Sequence, residues 1–343
     1  MVWVCSTHTI FIVMHLLENS MTNRTYLDPS LTLRPARWTD INAVAELTHN
    51  VAEMEGDAMF VMTAEELASE WKQEGFNVER DVYVVETRDG RLVGSEEFYN
   101  VGDHHKMKAD GCVHPDFRGF GIGSSLLEKM EERAKVDMGL AASDERVCIQ
   151  IMMNNTDEAG HTLLGENGYS PVRYFLRMEI NLKEAPAAVA FPHGIELRPF
   201  VKEAHAPAVW RADNEIFHDH WGSHEFAFEE WSKKFSNPNF DPSLWLIAWD
   251  GDEIAGFSQN RMRQGIGWVG TIGVRRPWRS KGLGLALLRS SFDKFYQRGT
   301  TTIGLGVDSA NITGATRVYE RGGMHIVGEH ALYEKELRAG SRS

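Results

Sequence analysis

Cysteine is scarce: Cys5, Cys112 and Cys148 are the three in 343 residues, far apart and without a C-x-x-C spacing. That argues against a disulfide framework or a cysteine-based zinc site and fits a reducing cytoplasm. Basic charge is also short. Lys and Arg total 36 against 49 Asp and Glu, a formal net charge of −13. No local basic run offsets this, so no affinity for nucleic-acid backbones is expected. Long apolar runs are missing too. Ile10 to Leu17 is too short to span a bilayer and lacks a charged leader or a small-residue cleavage site, so no membrane association is expected.

The remaining composition, 42% hydrophobic and 25% charged, is that of a globular protein. The length allows two domains, each with its own core. Residues 1–30 read as an extension outside the folded unit, with Met21 as a natural start.

The chemistry-bearing stretch runs from Trp268 to Leu288. An apolar strand over Trp268 to Val274 is ended by Pro277, and Leu283, Leu287, Leu288 and Phe292 then recur on one helical face. Between them lies Arg279-Ser280-Lys281-Gly282-Leu283-Gly284. The glycines let backbone amides approach an anion, the helix N-terminus adds partial positive charge, and Arg279 and Lys281 add formal charge. The chain carries this pattern twice. Val113 is followed by a proline and then by Arg118-Gly119-Phe120-Gly121-Ile122-Gly123 and a helix through Leu126, Leu127 and Met130. Neither copy has the Gly-x-Gly-x-x-Gly of a dinucleotide fold or the Gly-Lys-Ser/Thr closure of a P-loop.

Other anchors repeat with the loops. Leu31 to Pro35 matches Ile195 to Pro199, the Asp89-Gly90 hairpin matches Asp250-Gly251, and Asn155, Ala159 and Gly168 match Asn311, Ala315 and Gly323. A nearly constant offset of about 160 residues marks an internal duplication. The expected units are 31–180 and 194–338, joined by a linker over 181–193 whose Glu184-Ala185-Pro186 composition is that of a spacer.

Both Arg-x-x-Gly-x-Gly loops resemble the acyl-CoA pyrophosphate loop of the GNAT superfamily of N-acyltransferases. The order strand, helices, hairpin, long strand, glycine loop, helix, strand, helix, strand is similar to that family in both halves. The resemblance covers roughly residues 31–337 and implies a mixed α/β fold, a tandem duplicated GNAT protein of the arrangement seen in mycothiol synthases. It implies acetyl-CoA as cosubstrate and an amine as acceptor. It also implies that backbone amides near Ile272, Gly273 and Val274 face the thioester, and that Val113 with Arg118 to Gly123 forms the corresponding place in the first unit.

In the family pattern a tyrosine on the late helix protonates the departing thiolate. Asn311-x-x-x-Ala315-x-x-x-Tyr319 supplies it in the second unit, and Leu164 stands in the matching frame of the first. Catalysis is therefore expected in the second unit, with a degenerate, CoA-holding or structural first unit. Two active sites are the competing reading, because the first phosphate loop is intact. The base is not evident from the sequence. Glu215, Asp219, His220 and Trp221, in the segment Phe217 to His224, are candidates for binding the acceptor or relaying its proton, with a surface loop as the alternative. No metal is expected. A non-catalytic acyl-CoA sensor is the alternative function, and a monomeric pseudo-dimer or a homo-oligomer the alternative assemblies.

Overall fold

A computed structural model describes residues 26–56, 61–100, 104–187, 189–222, 225–237, 240–311 and 314–341. The apolar run at 10–17, and Ser223 and His224 of the acceptor segment, lie outside the described residues.

The first half runs β1 (Thr32–Pro35), α1 (Ile41–Met54), α2 (Ala64–Trp71), α3 (Val78–Asp81), β2 (Val82–Glu86), β3 (Leu92–Tyr99), β4 (Lys106–Val113), α4 (Ile122–Asp137), β5 (Val147–Asn154), α5 (Glu158–Glu166) and β6 (Ser170–Asn181). The second half repeats the order as β7 (Ile195–Pro199), α6 (Lys202–Phe217), α7 (Phe228–Ser232), β8 (Leu246–Asp250), β9 (Glu253–Arg263), β10 (Ile266–Val274), α8 (Leu283–Tyr296), β11 (Thr302–Asp308), α9 (Ala315–Gly322) and β12 (His325–Arg338). The Asp-Gly turns close β2 to β3 and β8 to β9 as antiparallel hairpins.

All twelve strands form one sheet in the order β1-β2-β3-β4-β5-β12-β6-β11-β10-β9-β8-β7. The last strand of each half is exchanged. β12 pairs with β5 of the first half, β6 pairs with β11 of the second, and β6 and β12 pair with each other at the centre. Charge marks the exchange: Arg146 reaches Glu334 and Glu336, and Arg173 holds Asp308 through three hydrogen bonds of 2.9, 3.0 and 2.6 Å. A boundary near residue 181 therefore separates the halves in sequence but not in strand pairing.

Helices cover both faces. α4 and α8 lay Leu126, Leu127 and Met130, and Leu287, Leu288 and Phe292, against the sheet. On the other face α1 and α2 pack Val44, Leu47 and Trp71 on Val82 and Val84, while α6 and α7 build an aromatic cluster with Phe200, Trp231, Trp245 and Phe257. Asp40 does not cap α1 with its side chain. It accepts from the backbone N–H of Arg37 at 2.7 Å and from the Arg34 guanidinium, whose stronger donors win it.

Leu27 and Asp28, counted with the extension in the sequence reading, belong to the folded unit. Leu27 packs beside Phe117 and Ile122, and the Asp28 backbone N–H donates to the Phe120 carbonyl at 2.9 Å.

A buried ion-pair chain fastens α4 to the end of α3. Arg133 donates to Asp81 at 2.9 Å and also pairs with Asp137, with Asp81 only 4% exposed. Asp81→Ala removes one acceptor from an enclosed guanidinium and is expected to lower unfolding stability by about 3 kcal/mol. An unchanged urea midpoint would show that the pair contributes nothing net.

Candidate active site

In both halves the sheet opens where the glycine loop begins. β4 runs parallel to β5 only from Lys106 to Ala109, and β10 touches β11 only at Gly267 and Trp268. Beyond those pairs the strands diverge, leaving Asp110 to Val113 and Val269 to Val274 with no strand on that side. In β10 a bulge falls between Val269 and Thr271, so Gly270 is skipped in the pairing with β9. A bulge adds twist and re-aims the residues that follow it, here Ile272, Gly273 and Val274. β4 pairs with β3 without such a shift.

The loop after each strand is held in a left-handed turn. Gly119 and Gly121 have φ of 84° and 76°, and Ser280 and Gly282 have 61° and 88° at the matching places. Gly121 and Gly282 are the residues from which α4 and α8 start. A side chain at Gly282 would meet nothing within 4 Å, so the approach to the first amides of α8 is open. Leu283 is buried and anchors the helix, while Ser280, Lys281 and Gly282 are exposed and Gly284 lies against Val274 and Val318. These residues fit a pyrophosphate.

The two loop arginines differ in what holds them. Arg279 donates to the Val274 carbonyl at 2.9 Å and approaches that of Ile216 at 3.5 Å. Neutral carbonyls leave its charge available. Arg118 instead pairs with Glu55 and Asp157, which neutralise it.

Tyr319 is buried on α9, in one apolar cluster with Leu288, Phe292, Leu305 and Val307 and with Ile272 packed against it. Burial pushes its phenol up to about 12. The ends of the late helices fix the correspondence with the first half. The Met324 N–H donates to the Tyr319 carbonyl at 3.0 Å, and the Tyr169 N–H donates to the Leu164 carbonyl at 3.0 Å, so Leu164 occupies the place of Tyr319.

Of the acceptor-segment candidates, Glu215 and Asp219 are engaged. Glu215 accepts from Arg275 at 2.7 Å, and Asp219 pairs with Arg276. These pairs tie the last turn of α6 and the segment after it to the turn before α8. Asp219, His220 and Trp221 line a cavity of about 240 Å³ together with Arg173, Asp308, Ala310 and Asn311. The Arg173 guanidinium lies over the Trp221 ring at 5.3 Å. Burial lowers the His220 pKa, opposed by Asp308 and reinforced by Arg279, so the imidazole is neutral at pH 7 and able to accept a proton.

A larger cavity of about 330 Å³ lies in the first half. It runs from Arg118, Gly119 and Gly121 to Ser124, through the splay, to Glu96 and Asp110. Sequence reasoning left Glu96 and Glu97 without a role. The available signal was a pair of consecutive acids inside an apolar strand, which sends one carboxylate to each face of the sheet. Arg173 was also missed, because nothing local says that β6 crosses to the second half.

Two stretches match family profiles: residues 206–324 fit the acetyltransferase (GNAT) family, and residues 79–171 fit an acetyltransferase (GNAT) domain. The GCN5-related N-acetyltransferase from Sphaerobacter thermophilus is 33% identical, with a TM-score of 0.79 over 92% of this chain and 98% of that one. The chain belongs to the GNAT family.

Among curated proteins, the mycothiol acetyltransferase of Thermobispora bispora is 30% identical over 216 residues, 61% of this chain and 69% of that protein. A tandem GNAT protein from the clavulanic acid biosynthesis pathway shares the fold, with a TM-score of 0.69 at 14% identity over 90% of this chain. The protein is thus a tandem GNAT and an acetyl-CoA-dependent N-acetyltransferase. Among the described residues, no helix is long and apolar enough to cross a membrane and no side-chain group is arranged to hold a metal.

Proposed function

We propose that this GNAT protein acetylates the primary amine of a small or peptide-like acceptor in its second half. The observation that carries the reading is Tyr319, a buried phenol in the apolar cluster against which Ile272, just past the bulge at Gly270, also packs. Arg279, Ser280, Lys281 and the first amides of α8 hold the pyrophosphate, with Asn311 on the late-helix side. The thioester carbonyl is turned toward the backbone at Ile272, Gly273 and Val274, where an N–H can stabilise the oxyanion. His220 takes a proton from the acceptor ammonium. The amine then attacks the thioester carbon and the C–N bond forms; the tetrahedral adduct loses its second N–H proton to water as the C–S bond breaks and Tyr319 protonates the thiolate, and the phenolate regains a proton from solvent. In the first half Val113 and Arg118 to Gly123 form the corresponding CoA-facing wall.

Arg279→Ala tests the cosubstrate side. Loss of one charge-assisted contact to phosphate is expected to raise the KM for acetyl-CoA about tenfold or more, with a smaller change in kcat. An unchanged KM would remove Arg279 from the pyrophosphate site.

The acceptor enters the pocket of Arg173, Asp219, His220, Trp221 and Asp308. A narrower reading takes it to be like that of the mycothiol acetyltransferases, and rests on the identity with those relatives. Free-thiol release from acetyl-CoA across polyamines, aminoglycosides, amino acids, peptide N-termini and cysteinyl conjugates tests both. Silence across the panel despite acetyl-CoA binding would reject N-acetylation of this acceptor class.

The functional units we assign are 31–180 and 194–338, joined by 181–193, each completed by the other's last strand. A single chain then already pairs two GNAT units, so we take the working form to be monomeric. The shortage of cysteine supports a cytoplasmic location.

A further inference from the structure

The reading above gives the first-half cavity a CoA-facing wall but no reaction, although it is larger than the acceptor pocket of the second half. Its inner end is the point where β4 leaves β5, after the pairing of Ala109 with Ile151. Asp110 and Gly111 are the first residues past the parting, and both line the cavity.

Glu96 is the cross-strand partner of Gly111 and lays its carboxylate over that glycine. A Cβ at Gly111 would stand 2.4 Å from Glu96 Oε2, so a larger residue there would displace the carboxylate. Asp110, one residue earlier, projects from the other face of the sheet. Two carboxylates therefore enter the opening from opposite sides, at the end of a channel that begins at a glycine phosphate loop. Glu96 is half-buried, whereas Asp110 is exposed to the cavity. Burial raises the Glu96 carboxyl well above its usual range, with Asp110 and Glu97 adding repulsion.

This set is not a property of the fold. Across β9 and β10 the matching pair is Ser258 and Ile272, and Ser258 is spent in hydrogen bonds with Asn260 at 2.9 Å and Ser291 at 3.0 Å. At the matched strand positions the second half thus has Ser258 and Thr271 in place of the carboxylates Glu96 and Asp110, and the first half has Leu164 in place of the phenol.

We propose that the first half is a second acetyl-transfer site, taking a cationic amine, in which Glu96 is the general base and Asp110 holds the acceptor's charge. An ammonium entering the cavity gives one proton to the Glu96 carboxylate. The free amine attacks the thioester carbon of acetyl-CoA, forming the C–N bond. The tetrahedral adduct loses a second proton as the C–S bond breaks, and that proton reaches the departing thiolate through water, since Leu164 cannot donate. The products are an N-acetyl amine and CoA, and Glu96 returns its proton to solvent.

The experiment uses the full chain with acetyl-CoA and spermidine, reading free thiol in a Tyr319→Phe background that removes the proposed acid of the second half. The background is expected to keep spermidine-dependent thiol release. Adding Glu96→Gln should cut the remainder at least tenfold, Glu96→Asp should restore part of it, and Asp110→Asn should raise the KM for spermidine more than it lowers kcat. Thermal melts check that the near-isosteric variants remain folded. Loss of all spermidine-dependent release in the background, or a remainder unchanged by Glu96→Gln, overturns the proposal. Wild-type rates in the background that Glu96→Gln does abolish would instead refute the role of Tyr319 and support that of Glu96.

Discussion

Tyr319→Phe is expected to lower kcat by about 100-fold or more while leaving the KM for acetyl-CoA within about twofold. A positioned general acid contributes on the order of 10² to 10⁴ in rate, and the substitution removes only the hydroxyl. The ring stays, so its packing with Leu288, Phe292 and Val307 is retained. An objection is that a phenol near 12 is a weak donor for a thiolate. The burial that raises the phenol also disfavours a bare thiolate beside it, which favours transfer of the proton to sulfur as the C–S bond breaks. The raised phenol also has a sign in pH. Tyr319 keeps its proton up to about pH 12, so it should produce no alkaline loss of kcat near pH 10, where an ordinary tyrosine ionises. Steady-state kinetics from pH 6 to 10.5 on wild type and variant would check both points. An unchanged kcat in the variant removes Tyr319 from the mechanism.

Expressed separately, residues 26–187 and 189–341 are each expected to fail as folded monomers and to recover as a 1:1 complex when made together. The first fragment would leave β5 without β12 and β6 without either neighbour, exposing faces that carry the fully buried Met107, Ile149 and Met178. The second would leave β11 bare and strand the buried Ala331, Leu332 and Tyr333 of β12. Unpaired edges of this length are aggregation sites. Circular dichroism melts and sizing columns would distinguish the cases. A first fragment that melts cooperatively as a monomer would show that each half closes its own sheet and that the exchange is dispensable.

What could be read from the sequence follows the range of the interactions concerned. The glycine loops and Asp-Gly hairpins act within a few residues, and they lie where the spacing put them. The strand exchange could not be read, because β6 and β12 carry the same pattern whichever half they join. Only pairs such as Arg173 with Asp308 and Cys148 with Glu334, 186 residues apart, tell the alternatives apart, and charge alone does not name its partner. The site divides the same way. Tyr319 could be proposed because its motif is local, and the helix-end hydrogen bonds give it the position that Leu164 holds in the first half, as the spacing implied. Glu96 was passed over because its meaning depends on Gly111 across the sheet and on the parting of β4 from β5.

The central pairing also orders events during synthesis. β5 emerges from the ribosome early, but its neighbour β12 lies at residues 325–338, so the first half stays one strand short until nearly the whole second half has been translated. The growing chain must hold β5 and β6 apart from other edges for that interval. A premature stop anywhere before β12 therefore costs the cell both units rather than one.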